Sequence, residues 1–249
     1  MERMKNKRVR AFFFALAFLL AEQILLFGRT VAFLPKGRAA DSYAELADSR
    51  KFIALTFDDG PRCATTVPLL DGLAQRGVPA TFFLIGQQIP GNEDLLRRMV
   101  EEGHELGIHS YSHAKLSDLN NADFSAEVDR TRTVIHNAVG PVPLLLRPPY
   151  GMVDPGVTRR ANAPIILWSI DPEDWGDRDA RRETEHILSH AKDGDIILLH
   201  DIYPESVDAA LQTVDALRQE GFYFVTVSDL FALRGISLAN GQVYRNAYP

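Results

Sequence analysis

Strand-like and helix-like segments alternate about seven times between residues 52 and 227, and this alternation limits the possible folds more than any other feature. Short apolar runs fall at 52–57, 80–85, 105–108, 144–146, 165–168, 196–199 and 222–227. Most are hydrophobic without interruption, as strands are in a parallel sheet covered on both faces. Between them, 65–76, 93–102, 123–139, 181–191 and 207–220 carry helical patterning, with Phe124, Val128, Thr131 and Ile135 on one face of the third. Gly77 and Gly103 stand where the first two helices would end, and Asn92 where the second would begin. The pattern predicts a parallel α/β architecture, either a barrel or an open doubly wound sheet.

In both architectures the C-terminal ends of the strands share one rim, and active sites sit there. The ionisable residues gather at those ends. Asp58 and Asp59 follow the first run, His109 the third and Arg147 the fourth; Asp171 and Asp174 follow the fifth, and His200 and Asp201 the sixth. The stretch 52–61, FIALTFDDGP, climbs to two adjacent carboxylates and stops at Gly60-Pro61, which cannot continue a central strand. Asp-Asp-Gly-Pro is also ordinary turn chemistry. Adjacent carboxylates raise one another's pKa unless a cation compensates, and five segments delivering ionisable groups to one rim favour a site over a plain turn.

His109 and His113 are four residues apart, a spacing that on a helical turn puts both imidazoles within reach of one ion. His186 and His190 share the spacing but lie inside 181–191, away from any strand end, and read as a solvated helix face. A catalytic zinc commonly takes three protein ligands and keeps one position open. Asp59, His109 and His113 would make such a set. Asp58 is then free to take a proton from water, with Arg147 to hold it ionised, although a strand-end arginine also suits a purely structural ion pair. His200 is the second acid/base group, able to protonate a leaving amine, with Asp174, or else Asp171, to orient it. Tyr150 and Trp175 offer faces suited to sugar rings, or else belong to the core.

The remaining bounds come from composition and from the first fifty residues. The chain has 249 residues, 46% hydrophobic and 24% charged, which suits one globular domain with an appendage. Its net charge of −6 gives no electrostatic footprint for nucleic acid. Residues 1–10 carry five Lys or Arg against one Glu, and 11–21 is unbroken apolar sequence, the layout of an export signal. Read through to Gly28, the apolar stretch approaches the about 18 residues that span a bilayer, but Glu22 within it costs about 2.5–3.5 kcal/mol near the centre. A cleaved signal peptide is therefore preferred over a membrane anchor, and either one exports the rest of the chain. The division expected is 1–32 signal or anchor, 33–50 linker, 51–235 catalytic domain and 236–249 tail. Cys63 is the only cysteine, so no intrachain disulfide forms and no Cys-based metal site is expected. It reads as a small loop residue rather than a nucleophile.

The segments TFDDGP, HSYSH, RPPYG, DPEDW and LLHD, in that order, resemble the five motifs of the polysaccharide deacetylases, carbohydrate esterase family 4. The resemblance covers about 51–233. It implies a distorted, incomplete parallel (β/α) barrel of about seven strands and metal-dependent removal of acetyl groups from a polymeric sugar. By the resemblance, Asp58 is the base, Asp59, His109 and His113 hold the metal, and Arg147 positions the base. Tyr150 supplies a backbone N–H to the oxyanion hole, Asp174 tunes His200 as the acid, Trp175 lines the site and Leu198 lines the acetyl pocket. No catalytic position departs from the pattern, and Asp171 is left without a role.

The function expected is a cell-envelope deacetylase. N-acetylglucosamine of peptidoglycan is the preferred substrate; N-acetylmuramic acid, chitin and acetyl-xylan are the alternatives. Zinc is the expected ion, with cobalt, nickel or manganese equally acceptable to these ligands. The partner is an acetylated polysaccharide, with membrane contact only through an uncleaved N-terminus. A non-catalytic glycan-binding module is the competing class, disfavoured because Asp58, Asp59, His109, His113 and His200 are all present. A hydrolase built on Cys63 is the third, distinguished by surviving chelation.

Overall fold

The computed structural model describes residues 50–248, so the expected signal or anchor at 1–32 and linker residues 33–49 lie outside the described residues. Six parallel strands form the curved wall around the site: β1 (Lys51–Asp58), β2 (Thr81–Leu84), β3 (Glu105–Ile108), β4 (Leu145–Leu146), β5 (Ile165–Ile166) and β6 (Ile196–His200). β1 pairs with β6 along Ala54–Asp58 and with β7 (Phe222–Val225) along Lys51–Ala54. The two ends of the wall meet through the bridge between Ile170 and Ile197, with a second bridge between Asp195 and Asn246 beside it. The architecture is the distorted, incomplete (β/α) barrel that the family resemblance implies, one of the two that the alternation of segments allowed.

Side chains alternate across this wall, as the two-residue period of a strand requires. Ile53, Leu55, Phe57, Phe82, Leu84, Leu146, Ile165, Ile197 and Leu199 join the large cluster. That cluster also takes in the helices α1 (Cys63–Arg76), α2 (Glu93–Glu101), α3 (Asn121–Val139), α4 (Pro155–Arg160), α5 (Ala180–His190) and α6 (Pro204–Gln219). Their sequence neighbours Phe52, Ala54, Phe83, Leu145, Ile166 and Ile196 form a second cluster. Into it go Val227, Leu230, Phe231 and Leu233 of α7 (Val227–Leu233). The Val227 N–H donates to Thr81 Oγ1, and Ser228 hydrogen-bonds Glu105, so α7 lies under the first residues of β2 and β3. Each of these buried large side chains contributes about 1.5–3 kcal/mol. Together they close the end of the barrel opposite the Asp58 rim.

Several boundaries differ from the sequence pattern. α3 begins at Asn121 because the Asn120 side chain accepts from Asp123 N at 3.0 Å, a cap four residues before Phe124, where the apolar face starts. α6 starts at Pro204, suited to a first turn that needs no N–H there. The sequence pattern does not predict α4, α7 or β8 (Val243–Tyr244). β8 runs parallel to β5, and Tyr248 Oη donates to Asp195 Oδ1 at 2.7 Å, so residues 243–248 extend the sheet rather than trailing from it. Among the described residues, no helix is long and apolar enough to cross a membrane.

Candidate active site

Above the second apolar cluster, the inward positions of the wall turn polar. Arg147, the residue after β4, is fully buried, with its guanidinium 4.0 Å from the centre of the Phe83 ring and 5.6 Å from that of Trp168. Every arm of the fork is used. Nε donates to Ile166 O at 3.1 Å, Nη2 to Leu167 O at 3.1 Å, and Nη1 to Thr56 Oγ1 and Asp58 Oδ1, both at 2.8 Å. Burial pulls the Arg147 pKa down while the Asp58 charge pushes it back up. Asp58 is thereby held inside the barrel, on the strand position that pairs with His200 of β6.

Asp59 leaves the strand through a left-handed φ of 73°. Its Oδ1 lies 3.5 Å from His109 Nε2 and 3.4 Å from His113 Nε2, is buried, and has no hydrogen-bond partner. The donor atoms of these three residues lie within 4.8 Å of one another. His109 Nδ1 is hydrogen-bonded to Arg147 O at 2.7 Å, so that nitrogen carries the proton and Nε2 presents its lone pair. Two imidazole nitrogens and a carboxylate oxygen, converging without hydrogen bonds among themselves, are a donor set that fits a divalent cation.

The segment from His109 to His113 is a loop, not the helical turn expected from the four-residue spacing. Ser110 and His113 have φ of 58° and 62°, which breaks any helical run. Glu127 of α3 shapes this loop: its carboxylate accepts from Tyr111 N at 2.7 Å, Ser112 N at 2.8 Å and Ser112 Oγ at 2.9 Å. The imidazoles are brought together by loop geometry fixed from a distant helix.

On the opposite side, Asp174 is fully buried and clasps His200 twice. Asp174 Oδ1 is 2.7 Å from His200 Nδ1, and Oδ2 accepts from His200 N at 2.7 Å and Ser206 Oγ at 2.6 Å. Burial lowers the His200 pKa, but the Asp174 hydrogen bond and the charges of Asp174, Asp58 and Asp59 outweigh it, and the result is about 9. Asp171 does not take that role; its Oδ1 accepts from Glu173 N at 2.9 Å in a turn, and burial raises its pKa.

Tyr150 and Trp175 are at the surface, 63% and 54% exposed, so neither belongs to the core. The Tyr150 ring lies edge-on to His113 with centroids 4.7 Å apart, and its backbone has φ 62°. Leu198 is buried beside Thr56 in the β1–β6 register, two residues before His200. Cys63 is exposed and directs Sγ to Asn92 Oδ1 at 3.0 Å, away from the paired acids. His186 and His190 stack on each other at 4.4 Å on α5 and join none of these groups.

Sequence reasoning missed Thr56, Glu127, Trp168, Ser206 and the environment of Asp201. Asp201 is buried, accepts from Thr66 Oγ1, and has its pKa raised to about 7 by burial, then by repulsion from Asp59 and Asp58. Only Asp201 carried a signal, its place beside His200 in LLHD.

Residues 45–163 match the family model for polysaccharide deacetylase. The chain is 38% identical over 198 residues to the peptidoglycan-N-acetylglucosamine deacetylase PgdA of Listeria monocytogenes, covering 80% of this chain but 42% of that protein. It is 35% identical over 194 residues to a peptidoglycan-N-acetylglucosamine deacetylase of Bacillus cereus, covering 75% of this chain and 91% of that one. Among solved structures, a family 4 acetyl xylan esterase from Clostridium thermocellum, in complex with a cobalt ion, superposes with TM-score 0.76 and 30% identity over 80% of this chain and all of that one. With the barrel, the converging Asp59, His109 and His113 and the pairing of Asp58 with His200 across β1 and β6 already in place, these likenesses establish that the chain belongs to the polysaccharide deacetylase family.

Proposed function

We propose that the chain is a metal-dependent hydrolase that removes N-acetyl groups from a cell-envelope polysaccharide, foremost from N-acetylglucosamine residues of peptidoglycan. The single observation that carries this reading is the opposition of two differently prepared groups across one rim. Asp58 is fixed against the Arg147 guanidinium at 2.8 Å, and His200 is held protonated by Asp174 at 2.7 Å. Asp59, His109 and His113 would hold zinc, or else cobalt, nickel or manganese, and the ion would supply Lewis acidity towards an acyl oxygen and towards water.

The rest follows from the chain's own residues. Asp58 takes the proton of the attacking water, and Arg147 keeps its carboxylate aimed. The backbone N–H of Tyr150 receives the oxygen that gains charge as the carbonyl is attacked. His200, protonated below about pH 9, passes its proton to the departing sugar amine, which leaves with acetate as the other product. Leu198 packs against the acetyl methyl, and Trp175 and Tyr150 offer their exposed faces to the sugar. Residues 1–32 serve as the export segment and 33–50 as a linker, so the catalytic domain works outside the cytoplasm. The basic-then-apolar start of the chain and the peptidoglycan named for its relatives support that placement.

Acetate release from the purified chain tests the reading, with peptidoglycan, chitooligosaccharide and acetyl-xylan in parallel, with and without a chelator followed by added zinc. The expected result is release, greatest from peptidoglycan, that chelation abolishes and zinc restores. Release untouched by chelation would remove the metal from the account. No release from all three polymers with metal bound would favour a glycan-binding module.

A further inference from the structure

Asp201 is a buried carboxyl that the reaction above leaves unused, and its contacts tie it to the loop carrying Asp58 and Asp59. It follows His200 directly, yet its partners are different ones. Asp201 Oδ2 accepts from Thr66 Oγ1, and that same hydroxyl accepts from the Arg62 N–H at 2.8 Å. Asp201 Oδ1 is buried, has no hydrogen-bond partner, and lies against Gly60. A Cβ at Gly60 would stand 2.4 Å from Oδ1 and 2.6 Å from Oδ2, with no other atom as close. Gly60 does not occupy the left-handed region that favours glycine, so the demand for glycine here comes from the carboxyl and not from the backbone. The loop is held from the other side by Ile85 N donating to Gly60 O at 3.0 Å.

We propose that Asp201 is the positioning residue of the acidic loop: its carboxyl, tied to Thr66 and wedged beneath Gly60, sets where Asp59 stands opposite His109 and His113 and where Asp58 stands opposite Arg147. A carboxyl acting by shape and by accepting one hydrogen bond is replaceable by an amide but not by a methyl group. A residue that merely fills core volume has no reason to be coupled to one glycine and one threonine. The inference rests on the proposed deacetylase reading for its effect on turnover; its effect on metal affinity stands apart from that reading.

The experiment uses Asp201→Ala, Asp201→Asn, Thr66→Val, Gly60→Ala and the double variant Gly60→Ala with Asp201→Ala. Zinc affinity is measured by competition with a chelating dye, and kcat and KM for acetate release at saturating zinc. Asp201→Ala and Thr66→Val are expected to weaken zinc binding about 10- to 100-fold and to lower kcat with little change in KM. Asp201→Asn is expected to stay closer to the parent than to Asp201→Ala in both readouts. In the double variant the two penalties should fall short of their product, because the methyl group added at position 60 no longer meets a carboxyl. Thr66→Val keeps the test open should Asp201→Ala fail to fold. Parent-like zinc affinity in both Asp201→Ala and Thr66→Val would overturn the proposal. So would damage in Asp201→Asn equal to that in Asp201→Ala, or penalties that multiply in full. If the parent binds zinc but releases no acetate while the affinities keep the expected order, the deacetylase reading fails and this one stands.

Discussion

Asp58 is met by Arg147 at 2.8 Å inside the barrel, whereas Asp59, one residue on, directs a buried and unpartnered Oδ1 towards His109 and His113. The first carboxylate sits on a strand, where the alternation of inward and outward positions decides what it faces. The second has left the strand through a left-handed turn and faces a loop shaped by Glu127. An ion pair enclosed between Phe83 and Trp168 completes its own electrostatics. A carboxylate oxygen with two imidazole nitrogens about it does not, and the missing charge has to come from a ligand. The two neighbours are thus placed differently, one fixed against Arg147 and one open to a ligand, which suits the base and metal-binding roles proposed for them.

Removing a ligand from the open side should have the largest effect. His109→Ala is expected to lose the bound metal and about 10²- to 10⁴-fold in kcat, and also to lower the melting temperature, because the buried ring holds Arg147 O and the metal stabilises the folded chain. Metal analysis of the purified variant, beside its thermal melt, checks this. An unchanged metal content would remove His109 from the ligand set.

Breaking the closed side should instead register first in stability. Arg147→Met leaves Asp58 buried without its counter-ion, and such a loss costs about 3–5 kcal/mol. Denaturant unfolding of the apoprotein measures it. A cost near zero would mean that Asp58 finds solvent or another partner.

Asp174→Asn probes the group facing both carboxylates. His200 loses the partner that, with the neighbouring acids, raises its pKa to about 9, so the alkaline limb of the pH–rate profile should move to lower pH. The same linkage bears on stability. A histidine whose folded pKa lies above its ordinary value of about 6.5 contributes fully below that value and loses its contribution as pH rises through about 9. The variant's stability should therefore fall less steeply on the alkaline side, and an unmoved alkaline limb would detach Asp174 from the titration of His200.

The smallest effect belongs to a histidine away from the comparison. His104 is buried beside Phe82, accepts from Ala80 N at 3.0 Å, and has its pKa lowered to about 4 by burial. The unfolded chain binds this proton more readily, so stability declines as pH falls from about 6.5 to about 4, by at most about 1.4 kcal/mol per pH unit. His104→Asn should flatten that decline without altering metal content or kcat at neutral pH.

The strand ends are legible in the sequence because two signals coincide there: continuous apolar runs fix where strands stop, and ionisable residues appear at those stops. That coincidence by itself brings up Asp58, Asp59, His109, Arg147, Asp171, Asp174, His200 and Asp201, without separating Asp174 from Asp171. The geometry between His109 and His113 is not legible, since four-residue spacing suits a helix and the positive φ of Ser110 and His113 leaves no mark in the sequence. Glu127 lies fourteen residues beyond His113 on a helix whose pattern announces only its apolar face, so its grip on the loop is invisible there. Trp168 and Thr56 look like ordinary strand residues until the barrel closes around Arg147. α7 and β8 escape because a seven-residue helix and a two-residue strand carry too few periods to read, although one seals the barrel and the other extends its sheet.

The account stands or falls most directly on Asp58→Asn and Asp59→Asn purified side by side, with zinc content and acetate release measured on each. Asp58→Asn should retain zinc at the parent's level and release almost no acetate, because the base is gone while the ligand set is whole. Asp59→Asn should lose both. Equal zinc content in the two variants, whether both retain the ion or both lose it, would contradict the division of labour between these adjacent carboxylates.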